Sequence, residues 1–356
     1  MSTNESGKVS EAIAAVERQL AGLWAPEHGA PPKSRACTAN IVVVSAAHDV
    51  RAAENLATSI ATADLARTFV VHVDPKMAPW GIEASVSAHC QKGEEGLVCA
   101  ERIDLVLGAM TYARAASIVD ALAVSEVPTV LVVPSQAPPL LIAALAAEAH
   151  RVIVDGDALG LEATCAIARD TKACLVDLAW QRLHPWRNQL ARCFDDPALR
   201  HAVTAIRRVT ITYSAGPADR ARRLVGWLAS RLGWRLTSAT QAIDPLHAAI
   251  TLDVSPRESD APPGVILGVE IEAALDDLEA SFSLVRHGEP PRVDTAWNTG
   301  ARGQGTRSAP IRVPPLADLV DRAIADPMPD AVLRAALALA SSFPPRASVA
   351  PRGAEA

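Results

Sequence analysis

The chain has 356 residues, of which 49% are hydrophobic and 4% are aromatic, and its formal net charge is -6. This length and hydrophobic content are enough for two domains with a core each, and they exclude general disorder. The negative charge and the lack of a dense Lys/Arg cluster exclude nucleic acid as the main partner, because neutralising phosphates requires clustered cations.

The N-terminal segment predicts a helical arm followed by a linker. Four aliphatic side chains recur there at helical spacing, namely Ile13, Val16, Leu20 and Leu23. A stretch rich in Pro and Gly comes next, which is typical of a linker. We therefore assign residues 1–35 to an arm and a linker outside the first domain.

Residues 36–175 alternate short apolar runs with amphipathic, alanine-rich segments. The apolar runs occupy residues 41–44, 69–73, 97–107, 129–133 and 152–154. Continuous β-branched runs are typical of strands buried on both faces, and helices between them imply right-handed βαβ crossovers. We predict an α/β domain with a mixed, mostly parallel sheet and helices on both faces. Residues 84–107 leave no room for a helix and should form an antiparallel hairpin.

Residues 176–200 predict a helical connector that carries the sequence DLAWQRLHPWR, from Asp177 to Arg187. Asp177 suits a helix N-cap, and Pro185 suits the first turn of a second helix. Helical spacing then places Trp180 and Arg187 on one face. We call Asp177–Arg187 the tryptophan motif.

Two interpretations of the tryptophan motif stay open. In the first, Trp180 and Trp186 form a wedge between the domains, while Arg182 and Arg187 pair with carboxylates or stack on the rings. In the second, the same side chains contact a partner protein, since Trp and Arg dominate interface hot spots. Large aromatic side chains in a globular chain are usually buried, which favours the wedge.

Residues 201–342 predict a smaller α+β domain with an antiparallel sheet. Strands are expected at residues 206–213, 247–254, 264–271 and 280–286, and helices at 218–232, 315–325 and 330–341. Residues 343–356 have the composition of a disordered tail. Within the domain, a Gly-rich stretch predicts a loop, whose candidate anion-binding residues are Arg302, Gly303, Gly305 and Arg307. An ordinary flexible loop is the favoured alternative.

The six cysteines are too sparse for a disulfide framework in a chain of this length, so we expect them to be reduced. They are Cys37, Cys90, Cys99, Cys165, Cys174 and Cys193. Cys90 and Cys99 could be metal ligands, a redox pair or buried small hydrophobic residues. Their spacing lacks the C-x-x-C of zinc and thioredoxin-like sites, which favours the structural interpretation.

Common catalytic and cofactor motifs are missing from the sequence. The segment between the first strand and its helix lacks G-x-G-x-x-G, and the chain has no Walker A loop, G-x-S-x-G or H-E-x-x-H. We therefore predict no catalytic, cofactor-binding or metal-binding residues. His48 and Asp49 follow the first strand and either orient a small molecule or cap the next helix.

Membrane association is also not expected. The first ten residues are polar, and no apolar run reaches the roughly 18 residues that span a bilayer. We expect a cytoplasmic protein with no membrane partner.

Several stretches, in the same order, resemble the OpcA family, the glucose-6-phosphate dehydrogenase assembly proteins. The strongest is DLAWQRLHPWR, which resembles the family's DLAW and PWR segments. The others are NIVVVSA at Asn40, RTFVVHVD at Arg67, the segment holding Cys90 and Cys99, VPTVLVVP at Val127, RVIVDGDAL at Arg151 and RRLVGWLASRLGW at Arg222. The resemblance covers roughly residues 36–340.

The resemblance implies a non-catalytic partner of glucose-6-phosphate dehydrogenase, which helps that enzyme of the pentose phosphate pathway reach or keep its active oligomer. It makes the tryptophan motif the candidate for partner binding or domain packing. The alternative, from another class of function, is a regulatory domain derived from a Rossmann-like enzyme that binds a sugar phosphate or a nucleotide at the α/β crevice.

Overall fold

The computed structural model describes residues 3–25, 33–35, 37–46, 48–92, 96–195, 197–275, 278–300, 303–326 and 330–343. Its helices are α1 (Thr3–Leu23), α2 (Val50–Asp64), α3 (Ala115–Leu122), α4 (Pro139–Glu148), α5 (Gly156–Leu159), α6 (Leu161–Asp170), α7 (Leu178–Arg182), α8 (His184–Arg192), α9 (Asp219–Leu232), α10 (Leu316–Ala325) and α11 (Ala331–Ser342). Its strands are β1 (Lys33–Arg35), β2 (Asn40–Ser45), β3 (Arg67–Val73), β4 (Ile82–Lys92), β5 (Leu97–Leu107), β6 (Thr129–Val133), β7 (Arg151–Val154), β8 (Cys174–Asp177), β9 (Ile206–Ser214), β10 (Arg235–Ser238), β11 (Gln241–Ile243), β12 (Ala249–Arg257), β13 (Ile266–Leu275), β14 (Leu278–His287), β15 (Arg292–Asn298) and β16 (Gln304–Pro310).

The chain divides into two compact units. The first comprises Met1–Leu159, Ala166–Leu178 and Pro314–Asp330, and the second comprises Gly160–Cys165, Ala179–Val313 and Ala331–Ala356. Helix α10 thus belongs to the first unit, although sequence order places it within residues 201–342. Packing explains this grouping, because Leu319, Val320 and Ala323 join the apolar core formed by β2 and α2.

The first unit contains a mixed sheet with the strand order β1-β5-β3-β2-β6-β7-β8, and β4 pairs with β5. All described pairs are parallel except the antiparallel pair of β4 and β5. The predicted strands and the hairpin are confirmed, and every residue of β2 is buried. Burial on both faces accounts for the continuous apolar runs from which these strands were predicted.

The second unit contains a mostly antiparallel sheet with the order β10-β11-β12-β9-β13-β14-β15-β16. The four predicted strands correspond to β9, β12, β13 and β14, and the expected helix at residues 218–232 is α9. One face of the sheet packs against α8 and α9 around Ile211, Phe282 and Leu224. The α/β unit followed by an α+β unit is the predicted fold class.

Helices α9 and α11 pack closely in the second unit. A Cβ atom added at Gly226 would lie 2.2 Å from the carbonyl oxygen of Ala336, so only glycine fits there. The guanidinium of Arg222 donates to the carbonyl oxygen of Phe343 at 3.0 Å. Phe343 is 2% exposed, so the prediction of a disordered tail from this residue onward is wrong at Phe343, and residues 344–356 lie outside the described residues.

The N-terminal helix is confirmed as α1, but its assignment to an arm outside the first domain is wrong, because Val16 and Leu20 are buried and α1 belongs to the first unit. Of the predicted linker, residues 26–32 lie outside the described part of the chain, whereas Lys33–Arg35 form β1, which pairs in parallel with β5, so the linker prediction is wrong for these three residues. Among the helices of the described ranges, none combines the length and the apolar character that crossing a membrane requires.

Candidate functional site

The tryptophan motif begins at the end of β8 and continues through α7 and α8. Asp177 is fully buried and directly precedes α7. Its carboxylate accepts a hydrogen bond at 3.2 Å from the backbone N–H of Gly156, the first residue of α5. The carboxylate therefore satisfies an amide at the start of α5, in the way an N-cap residue does, and its predicted role as the N-cap of α7 stays a prediction.

Trp180 and Arg187 form the central contact of the motif. The Cζ atom of Arg187 lies 3.5 Å from the centroid of the Trp180 ring, and its Nη2 atom donates to the Trp180 carbonyl oxygen at 3.2 Å. Trp180 is 3% exposed. A cation over a desolvated indole face is a favourable arrangement, so the contact fixes α7 against α8.

Helix α8 carries the second ring of the motif. Pro185 lies in its first turn, where the missing N–H of proline leaves no carbonyl unpaired. Trp186 is 3% exposed and belongs to the core of the second unit, beside Leu183 and Leu190. Arg182 is half-buried at the end of α7. A wedge between domains stays a prediction for these residues.

The predicted Gly-rich loop is largely a strand. Gly305 and Arg307 lie in β16, Gly303 lies in the turn before it, and Arg302 is outside the described residues. The loop prediction is wrong here. Strands are recognised in a sequence by apolar residues at every second position, and β16 has small and polar residues instead. A Cβ atom at Gly305 would lie 2.4 Å from the Trp297 ring, which explains the glycine.

Arg307 connects this strand to the part of α8 that follows the tryptophan motif. Its Nε atom donates to Oε1 of Gln189 at 3.1 Å, and its Nη2 atom donates to the Gln189 carbonyl oxygen at 2.9 Å. The Nη1 atom donates to the carbonyl oxygen of Arg192 at 3.3 Å. The guanidinium therefore holds β16 against α8, and this use does not favour the predicted anion site.

Cys90 and Cys99 form a disulfide. The expectation that they are reduced is wrong, because the register of β4 and β5 places them directly opposite each other. Cys90 is exposed and Cys99 is fully buried. Within the described ranges, no group of three or more His, Cys, Asp or Glu side chains could hold a metal ion.

Three polar side chains that were not predicted as site residues lie at or next to the carboxyl ends of β2, β3 and β6. They are Ser45, His72 and Ser135. The Ser45 Oγ, His72 Nδ1 and Ser135 Oγ atoms are buried and have no hydrogen-bond partner among the described residues. Burial lowers the pKa of His72 below its ordinary value, which favours the neutral ring. A polar residue that ends an apolar run was the available sequence signal.

Solved structures give only a distant likeness. A levoglucosan dehydrogenase in complex with NADH and L-sorbose has a TM-score of 0.43 at 11% identity, with 85% of this chain and 91% of that chain covered. An oxidoreductase from Sinorhizobium meliloti has a TM-score of 0.42 at 9% identity, with 86% and 89% covered. Similarity at this level supports no conclusion about function.

Curated relatives are similar over part of their length. A putative OxPP cycle protein OpcA from Nostoc punctiforme is 34% identical over 171 residues, which is 44% of this chain and 36% of that protein. A putative OxPP cycle protein OpcA from Synechocystis is 30% identical over 164 residues, or 43% and 34%. The chain therefore spans about a third of the length of the curated relatives it matches.

Two models of one family match most of the chain. Residues 57–171 match the model for the N-terminal domain of the glucose-6-phosphate dehydrogenase subunit. Residues 173–337 match the model for the C-terminal domain of the same protein. The two matches are consecutive and include the whole tryptophan motif. The chain belongs to the OpcA family of glucose-6-phosphate dehydrogenase subunits.

Proposed function

We propose that this chain is a non-catalytic, cytoplasmic partner of glucose-6-phosphate dehydrogenase that stabilises the enzyme's active oligomer. The observation that carries the proposal is the pair of matches at residues 57–171 and 173–337, both described as domains of a subunit of that dehydrogenase. A partner shifts an oligomer equilibrium only through a difference in affinity between the two states. The chain must therefore bind the assembled dehydrogenase more tightly than the dissociated one.

The tryptophan motif supports this role through structure. Trp180 and Trp186 are each 3% exposed, and the Trp186 ring stabilises the core of the second unit. The Arg187 and Arg307 guanidiniums then hold α7, α8 and β16 together. We propose that the motif fixes the shape of the surface that meets the dehydrogenase, while direct contact by its half-buried Arg182 is the alternative.

The test is a dilution experiment with the purified chain and the dehydrogenase of the same organism. Light scattering follows the mass of the mixture, and turnover is measured as the dehydrogenase is diluted in the presence or absence of the chain. We expect a larger particle and a specific activity that survives dilution. The control for protein addition is the same dilution of the dehydrogenase in the presence of an equal mass of an unrelated protein.

Two results would contradict the proposal. An unchanged mass together with an unchanged dilution curve would reject the partnership. Oxidation of glucose 6-phosphate by the purified chain alone would reject the non-catalytic role, even if the chain also bound the dehydrogenase.

A further inference from the structure

The carboxyl edge of the parallel sheet in the first unit has the position of a ligand site. The strand order changes direction between β2 and β6, because β3 and β5 extend the sheet on one side and β7 and β8 on the other. In open α/β sheets, ligands bind outside the carboxyl ends of the strands at this switch point. Ser45 ends β2, and Ser135 follows β6 by two residues.

Buried polar atoms without partners gather at this edge. The Ser45 Oγ, His72 Nδ1 and Ser135 Oγ atoms have no hydrogen-bond partner in the described part of the chain. Ser45 is 0% exposed, and the register of β2 and β3 places it directly beside His72, on the same face of the sheet. An unpaired buried hydroxyl destabilises a fold, so a native protein normally supplies a partner for it.

The same face of the sheet leads to the N-terminus of α2. Ser45 shares its face of β2 with Ile41 and Val43, which pack in one core with Ala53 and Ala57 of α2. The Ser45 hydroxyl therefore points to the side of the sheet on which α2 begins. There, the amides of the first helical turn carry a partial positive charge and bind anions.

The capping residue leaves this helix end available. Asp49 is the N-cap residue of α2, but its carboxylate makes no capping hydrogen bond and lies instead 3.4 Å from Nε2 of His48. Arg51 in the first turn is exposed. Of the acidic residues near His72, Asp104 pairs with Arg102 at 2.8 Å and Glu54 pairs with Arg102 at 3.6 Å. Arg102, which lies opposite Thr68 in the sheet, thus offsets two of these carboxylates, and the third, Asp74, accepts a hydrogen bond from the backbone N–H of Lys76 at 2.8 Å.

We propose that the edge formed by Ser45, His72, Ser135 and the first turn of α2 binds the phosphate group of a small phosphorylated polyol. The sequence from Ala46 to Asp49 has no glycine, whereas dinucleotide-binding sites use glycines there to let the pyrophosphate approach the backbone, so we infer a single phosphate at the helix end. Asp74 directly follows β3, where a carboxylate is placed to accept hydrogen bonds from sugar hydroxyls. This site is independent of the proposed dehydrogenase partnership.

Isothermal titration of the full chain tests the site, with ribose 5-phosphate and inorganic phosphate as separate probes and chloride at matched ionic strength. We expect saturable binding at one site, tighter for ribose 5-phosphate. At a hundredfold excess over the dissociation constant, Tm should rise by about 5–10 °C.

Ser45→Ala and Ser135→Ala should each weaken binding at least tenfold. Without the probe, Ser45→Ala should keep or raise Tm, because it removes an unpaired buried hydroxyl.

Thr68→Val is the matched control. Thr68 Oγ1 is also buried with no partner among the residues described, but Thr68 lies four residues before His72 on β3, about 13 Å from the edge. This variant should bind the probes like the wild type. The proposal is overturned if neither probe gives saturable binding, or if Ser45→Ala binds as tightly as the wild type. Equal affinities for the two probes would overturn the assignment of a polyol.

Discussion

The two tryptophan side chains of the tryptophan motif are buried and stabilise the fold through packing. Trp186 and Trp180 are both 3% exposed, and the Arg187 guanidinium covers one face of the Trp180 ring at 3.5 Å. An arginine in this position loses water on one side but gains the electrostatic attraction of the indole face. Trp180, Trp186 and Arg187 therefore pack inside the protein, and substitutions at these positions should change its free energy of unfolding.

Truncation of Trp186 should show whether its ring stabilises the fold or contacts the dehydrogenase directly. We expect Trp186→Ala to lower the free energy of unfolding by about 3–5 kcal/mol, because it leaves a cavity in the core of the second unit. The measurement is urea unfolding followed by circular dichroism. The control His184→Ala, at an exposed position two residues away, should change the free energy of unfolding by less than about 0.5 kcal/mol. A stable Trp186→Ala variant that fails to bind the dehydrogenase would instead support direct contact.

Cys193 should make stability depend on alkaline pH. Burial raises the pKa of its thiol from the ordinary value of 9.0 to about 11, against the lowering effect of Arg307. The folded state therefore holds the proton more tightly than the unfolded state. The resulting stabilisation is fully present below pH 9 and is lost as pH rises toward 11, with a limit of about 2–3 kcal/mol.

The control for this pH dependence is Cys193→Ala. Urea unfolding at about pH 8 and about pH 10.5 gives the loss of stability for each protein, and the wild type should lose more than the variant. The difference between the two losses of stability isolates Cys193, because the tyrosines and lysines titrate in both proteins. Equal losses in the two proteins would show that the thiol proton does not contribute.

Among the helices, the pairing of α9 with α11 depends on one missing side chain. Gly226 lets the two backbones approach so closely that an added Cβ atom would lie 2.2 Å from the carbonyl oxygen of Ala336 and 2.8 Å from the backbone nitrogen of Ala340. Glycine in the middle of a helix normally costs about 0.5–1 kcal/mol relative to alanine. Close packing, rather than helix propensity, accounts for the residue here.

Two glycine substitutions should have opposite effects on stability. Gly226→Ala should destabilise the second unit by about 1–3 kcal/mol, because the two helices must move apart. Gly7→Ala, in α1 with no atom within 4 Å of the added Cβ, should be neutral or stabilise by up to about 1 kcal/mol. Thermal unfolding measures both. A neutral Gly226→Ala would show that the approach of α9 and α11 is looser than the structure describes.

At the scale of the whole molecule, the proposed partnership with glucose-6-phosphate dehydrogenase has a reciprocal consequence for stability. A ligand that binds only the folded state stabilises it, whatever the size of the ligand. The oligomeric dehydrogenase should therefore raise the stability of this chain, at the same time as the chain stabilises the oligomer.

The expected stabilisation can be measured by hydrogen exchange. With assembled dehydrogenase at a hundredfold excess over the dissociation constant, the free energy of unfolding of the chain should rise by about 2.7 kcal/mol. Slowly exchanging amides of β2 and β9 should report the change, because each of these strands is hydrogen-bonded to a neighbouring strand on both sides. A dehydrogenase held dissociated should give a smaller protection. Equal protection by the two forms would contradict the proposed mechanism.

Local patterns were sufficient to predict most of the fold. The runs that became β2, β3, β5, β6 and β7 are apolar and continuous because both faces of these strands are buried, and no packing information was needed to find them. The hairpin of β4 and β5 followed from the lack of room for a helix. The spacing of Trp180 and Arg187 likewise placed both on one helical path.

Long-range contacts decided the remaining features. The strand β16 was predicted as a loop, because the contacts that explain its residues are not visible in the local sequence. Gly305 lies against the Trp297 ring of the neighbouring strand, and Arg307 binds Gln189, which is far away in the sequence. The Cys90–Cys99 bond depends on strand register, and α10 joined the first unit through its apolar face. Short-range periodicity carries information about burial, whereas register and the choice of packing partner depend on contacts that form only when the chain has folded.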